Sequence, residues 1–138
     1  MNYCVLAIDS KLPKNQLMVE GLCKSPTTNF ELFNERFSKL VQELKAQHEP
    51  KGISIAGDTN FNILNAEDDV EIKREATKYK ELTASFSLMQ QIQKPTHIGP
   101  TKNSCLDHIM TNFEVEAADV LNHKVSGHQV TIAAWNQH

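Results

Sequence analysis

Phe30, Phe33, Phe37, Leu40, Val41 and Leu44 recur at helical spacing and form one apolar stripe. Thr28-Asn29-Phe30-Glu31 opens that stretch and reads as a capping box, the Thr28 hydroxyl and the Glu31 carboxylate satisfying orphan backbone donors reciprocally. His48-Glu49-Pro50-Lys51-Gly52 stops the helix. Ahead of it, Tyr3 to Ile8 and Gln16 to Leu22 are short apolar segments of strand type, joined through Pro13-Lys14-Asn15 in a hairpin-like connection. Behind it, Ile53-Ser54-Ile55-Ala56 has the character of a buried strand and runs into the polar turn Gly57-Asp58-Thr59-Asn60. A less regular helix is expected over about Asp69 to Phe86, with Tyr79, Leu82 and Phe86 on one face. Pro95, Gly99 and Pro100 mark a loop, and Leu106 to Met110, Val115 to Leu121 and Val130 to Ala134 read as three more strands. Helices and strands alternate early and strands dominate late, which predicts a layered α/β domain with mixed sheets.

The 138 residues fit one domain, residues 1–138, and the 40% hydrophobic and 22% charged content is that of a globular chain rather than a disordered one. A net charge of −3 argues against strong stand-alone nucleic-acid binding, because neutralisation of phosphates supplies most non-specific affinity. The expected basic contributors, Lys24, Lys94, Lys102 and Lys124, are dispersed in sequence. Cys4, Cys23 and Cys105 are odd in number and form no C-x-x-C pair, so reduced thiols in an intracellular protein, nuclear or cytoplasmic, are expected. No apolar run approaches a membrane span, and no membrane partner is expected.

Three short motifs carry the candidate chemistry. Gly57-Asp58-Thr59-Asn60 ends a strand, Ser104-Cys105-Leu106-Asp107-His108-Ile109 opens a later one, and Ser126-Gly127-His128 precedes the last. All three put polar side chains at strand ends, where open α/β sheets gather their ligand sites. Each has a plain alternative. Gly-Asp-x-Asn is good turn chemistry, Asp107-His108 could be a surface pair, and a lone His128 among six histidines signifies little.

Their order and spacing resemble the endonuclease/exonuclease/phosphatase superfamily, and most of all its non-LTR retrotransposon endonucleases. Ile-Ala-Gly-Asp-Thr-Asn is similar to the family's strand followed by G-D-F-N, and Ser-Cys-Leu-Asp-His-Ile-Met-Thr-Asn to its S-x-L-D-H-I-x-x-N stretch. Ser126-Gly127-His128-Gln129-Val130 resembles the terminal S-D-H motif. Gly21-Leu22-Cys23-Lys24-Ser25-Pro26 is similar to G-V-Y-R-S-P, and Pro95-Thr96 falls where that subgroup carries Pro-Thr. The resemblance implies the C-terminal part of a four-layer α/β/β/α sandwich with the N-terminal half missing. It implies a phosphodiester hydrolase using Mg²⁺ or Mn²⁺ on DNA. Asp58 would orient or deprotonate the attacking water and hold the metal. Asn60 would reach a phosphate oxygen or hold the site together, Asp107 would orient His128, and Lys24 would lie near the substrate phosphate. The three motifs should converge on one cleft, with the Ile53 to Ala56 strand beside those of Leu106 and Val130.

The pattern also breaks. Gly127 stands where the family has an aspartate, Cys23 and Lys24 replace Tyr and Arg, and the family's early Asn and metal-holding Glu have no counterpart in this sequence. Lysine keeps the charge but loses the bidentate fork of arginine. Two functions follow: an impaired endonuclease, or a non-catalytic, domesticated or decayed remnant that acts, if at all, as a binding module. A third, an unrelated α/β domain with coincident motifs, is weaker. Weak DNA binding and self-association through an uncovered sheet face are expected in the first two.

Overall fold

A computed structural model describes residues 17–48, 52–64, 69–125 and 127–135. The expected strand at Tyr3 to Ile8 and the connection at Pro13 to Asn15 lie outside the described residues. The elements are β1 (Leu17–Cys23), α1 (Phe30–His48), β2 (Gly52–Asp58), α2 (Val70–Ser85), β3 (Met89–Gln90), β4 (His97–Ile98), β5 (Asn103–Ser104), β6 (Asp107–Thr111), β7 (Ala117–Val125) and β8 (His128–Ala134).

They form two sheets. In the first, ordered β1-β2-β6-β3, the β1–β2 pair is parallel with α1 as its crossover, and β6 pairs antiparallel to both β2 and β3. The second, ordered β5-β4-β8-β7, is antiparallel throughout. Both helices pack on one face of the first sheet, where Phe33, Phe37, Val41, Ile53, Ile55, Tyr79 and Met110 form a shared core. The opposite face meets the second sheet through Ala56, Ile109, Cys105, Ile92, Ala118, Val120 and Ala133. Coverage on both faces explains why Ile53-Ser54-Ile55 is a nearly continuous buried run rather than an alternating one. The described residues thus build helix, sheet and sheet layers of the expected α/β architecture. On the second sheet, Leu121 and Ile132 remain 42% and 48% exposed.

Several local expectations need correction. The cap of α1 is Asn29, whose Oδ1 accepts from the Leu32 amide at 2.9 Å, so the helix enters one residue later than a Thr28 cap requires. Glu31 points sideways instead, its carboxylate 3.6 Å from Lys78 Nζ on α2. The α2 helix is capped by Asp69, whose Oδ1 accepts from the Glu71 and Ile72 amides at 2.9 and 3.1 Å. The Pro95 to Pro100 loop encloses β4, which pairs with β5 as a short hairpin. β7 begins at Ala117 rather than Val115 and runs past Leu121 to Val125 through a register shift. The β8 strand lies in the second sheet, so it faces the Ile53 strand across the interior instead of pairing beside it.

Candidate active site

The end of β2 is pressed against β1. Gly57 has φ +149°, and a Cβ there would run into the Leu22 carbonyl oxygen, so glycine alone permits the approach. The next residue, Asp58, lies directly opposite Asp107 in the β2–β6 ladder. Two carboxylates at such a cross-strand position repel each other, and the arrangement needs a cation. His128, delivered by β8 from the other sheet, stands between them and offsets that repulsion when its ring is protonated. Its Nδ1 donates to Asp107 Oδ2 at 2.7 Å, and its Nε2 stands 3.9 Å from Asp58 Oδ2.

The electrostatics follow from this geometry. The hydrogen bond to Asp107 raises the His128 pKa above its ordinary value; partial burial opposes this, and the charges of Asp107 and Asp58 reinforce it. Burial raises the Asp58 carboxyl, and Asp107 pushes the same way. The Asn60 amide, His128 and Lys24 pull it back down. Asn60 adopts φ 55°, its N–H donates to Asp58 Oδ1 at 3.0 Å, and its Nδ2 donates to the Lys24 carbonyl at 2.5 Å. Of the two roles open to Asn60, the structure places its side-chain amide on the backbone of the β1 exit.

Lys24 is only 2% exposed. Its Nζ donates to the Ser25 carbonyl at 3.1 Å and sits 4.5 Å above the Phe61 ring. Burial lowers its pKa, with Glu75 and Asp58 opposing. It forms part of the wall of a cavity of about 440 Å³, together with Asn60, Phe61, His97 and Lys102. Among the described residues, none comes within 4 Å of where a Cβ of Gly127, at φ +83°, would stand.

Other residues hold these in place. Asn62 Oδ1 accepts from the Cys105 amide at 3.0 Å. Thr96 is fully buried beside the start of β6, and its Oγ1 accepts from the Asp107 amide at 3.1 Å. His97 lies opposite His128 on β4, the rings 5.3 Å apart. Of these, only Thr96 left a trace in sequence, as the second residue of the Pro-Thr pair. His108 does not join the site. It is fully buried on the helix side, where Nε2 donates to the Cys105 carbonyl at 2.9 Å and Nδ1 faces Tyr79 Oη at 2.7 Å.

Ligand atoms of Asp58, Asp107 and His128 lie within 4.8 Å of one another. Mg²⁺ and Mn²⁺ favour oxygen donors, and Mg²⁺ commonly takes only one or two carboxylates beside phosphate oxygens and water. With Asp107 Oδ2 engaged by His128, Asp58 is the carboxylate that fits such an ion, and the fit is a minimal one.

No family model and no curated protein matches this sequence. Solved structures do. The endonuclease domain of TRAS1, a telomere-specific non-LTR retrotransposon, superposes with a TM-score of 0.70 at 16% identity over 96% of this chain. An endonuclease/exonuclease/phosphatase family protein from Leptotrichia buccalis superposes with a TM-score of 0.66 at 16% identity over 95% of this chain. The chain spans 63% of the first protein's length and 52% of the second's. The fold of this chain is therefore that of the endonuclease/exonuclease/phosphatase proteins, over part of their length.

Proposed function

We propose that this chain is part of a divalent-metal-dependent phosphodiester hydrolase, an endonuclease domain of non-LTR retrotransposon descent, with low activity on DNA. The observation that supports it is the meeting of Asp58, Asp107 and His128, carried on two different sheets, at one partly exposed point. Asp58 would hold Mg²⁺ or Mn²⁺, which when bound would supply positive charge against the phosphate oxygens. Asp58 aims and deprotonates the attacking water. Asn60 fixes the Asp58 carboxylate through its amide. Asp107 holds the His128 ring with its proton on Nδ1, leaving Nε2 to face the phosphate; when charged, the ring donates there. Lys24 contributes its field from the cavity wall more than a direct contact, since it is buried.

Low activity is supported by Gly127, which offers no carboxylate at the site, and removal of one electrostatic stabiliser costs on the order of a hundredfold in rate. Weak DNA affinity is supported by the lysines: Lys24 is buried and Lys94 pairs with Asp119 at 2.8 Å. The exposed Leu121 and Ile132 support self-association through the second sheet. Free Cys23 and Cys105 accord with a reducing compartment, nuclear or cytoplasmic. A second reading, a non-catalytic remnant that binds a partner, is favoured by the same Gly127.

A supercoiled-plasmid nicking assay with Mg²⁺ and with Mn²⁺ separates the two. Slow, metal-dependent nicking that Asp58→Ala and His128→Ala both abolish supports the hydrolase. Nicking that is absent, or indifferent to both substitutions, leaves the remnant reading. Rapid nicking abolished by both would overturn the assignment of low activity.

A further inference from the structure

We infer that Thr96 is the positioning residue for the Asp107–His128 pair. The two partners come from different sheets, and a charge-assisted bond of 2.7 Å tolerates little displacement between them. Thr96 is 0% exposed and holds both sides. Its Oγ1 accepts from the amides of Leu106 and Asp107 at 3.0 and 3.1 Å, which fixes the backbone of the carboxylate's own residue. Its carbonyl accepts from the Gln129 amide at 2.6 Å, which fixes the residue following His128. Its own amide donates to Ser104 at 2.9 Å and anchors it to β5. One residue thus ties the start of β6 in the first sheet to the start of β8 in the second. Its hydroxyl serves the Asp107 side, and its backbone serves the His128 side. Removing only the hydroxyl takes this acceptor from two partly buried amides and loosens the backbone that carries Asp107.

The proposal rests on the hydrolase reading only in calling the pair catalytic, and its test needs neither metal nor DNA. The measurement is the ring-nitrogen and ring-proton NMR spectrum of His128 in the metal-free protein, assigned with His128→Gln. The parent is expected to show a downfield, slowly exchanging Nδ1 proton. Asp107→Asn, the control for the pair itself, is expected to lose it. Thr96→Val, which keeps the shape, is expected to lose that proton signal while remaining folded, and Thr96→Ser, which keeps the hydroxyl, is expected to retain it. A folded Thr96→Val protein with unchanged His128 signals overturns the proposal, as does a Thr96→Ser protein that loses them. If Thr96→Val does not fold, amide exchange in the parent decides. Slow exchange at both Leu106 and Asp107 supports the role, and solvent-rate exchange at either overturns it. Failure of the nicking assay leaves each of these results standing, so the two readings fall separately.

Discussion

His108 gives the sharpest quantitative test of the packing beneath the site. Its Nε2 donates to the Cys105 carbonyl, which can only accept, so the neutral ring carries its proton there. Nδ1 is then an acceptor, with Tyr79 Oη at 2.7 Å and Thr59 Oγ1 at 2.9 Å around it. Protonation would put a second N–H against those hydroxyls and a charge in the core. Burial accordingly takes the His108 pKa from 6.5 down to about 4, against the Cys105 carbonyl and Asp107, which favour the charged ring. The unfolded chain binds this proton first as pH falls, so the stability owed to a neutral His108 is complete above 6.5 and lost between 6.5 and about 4. At about 1.4 kcal/mol per pH unit the loss comes to about 3 kcal/mol. The raised pKa of His128 acts in a different window: its contribution is complete below 6.5 and lost as pH rises through its folded value. The assay is urea unfolding followed by fluorescence of Trp135, the single tryptophan, which lies edge-on to Phe113 at 5.2 Å. His108→Gln keeps a donor and an acceptor but cannot titrate. At neutral pH the parent is the more stable, and its advantage should shrink by about 3 kcal/mol towards pH ~4. Parallel pH profiles for the two proteins would refute a neutral, buried His108.

Two further outcomes follow from the site. Gly57→Ala places a methyl against the Leu22 carbonyl at φ +149°, and thermal melts should show a loss of about 3 kcal/mol or no folded protein; an unchanged melt would mean that β1 and β2 are not this close. Asp107→Asn removes the main cause of the raised His128 pKa, and an NMR titration should show the ring moving back towards its ordinary value, with an unshifted titration arguing against the pair.

Much of the architecture was legible because it rests on local periodicity. The Phe-rich stripe became α1, and Tyr79, Leu82 and Phe86 do pack against it from α2 and its cap. The cap itself was misplaced by one residue because Thr28 and Asn29 are both competent caps, and only the backbone path selects between them. β4 and β5 were not legible, since two-residue strands flanked by Gly99 and Pro100 look like loop. The sheet to which β8 belongs was not legible either, because strand order is a long-range property that alternation along one strand does not encode. The meeting of Asp58, Asp107 and His128 was foreseen through resemblance, whereas Thr96 was marked only as part of the Pro-Thr pair, and its partners and those of Asn62 are backbone amides that no side-chain motif reports.

The Asp107-His108 dipeptide shows why resemblance and packing must be read together. Along a strand, neighbouring side chains point to opposite faces. Asp107 and Ile109 face the second sheet, and His108 and Met110 face the helices. One motif therefore places a carboxylate in the candidate active site and an imidazole in the core behind it. Tyr79, bonded to His108 and stacked at 4.6 Å on Phe61, continues that core to the loop that follows Asp58 and Asn60. His108 touches none of the Asp58, Asp107 and His128 side chains, and bears on the site through the position of β6 and through Thr59, between Asp58 and Asn60, whose Oγ1 lies 2.9 Å from its Nδ1. A change at Asp107 should alter the titration of His128 with the fold intact. A change at His108 should alter stability and its pH dependence, and reach His128 only as far as β6 or the Asp58–Asn60 turn shifts. Because the two residues are adjacent in sequence and opposite in direction, the two sets of measurements separate what the motif does for chemistry from what it does for the fold.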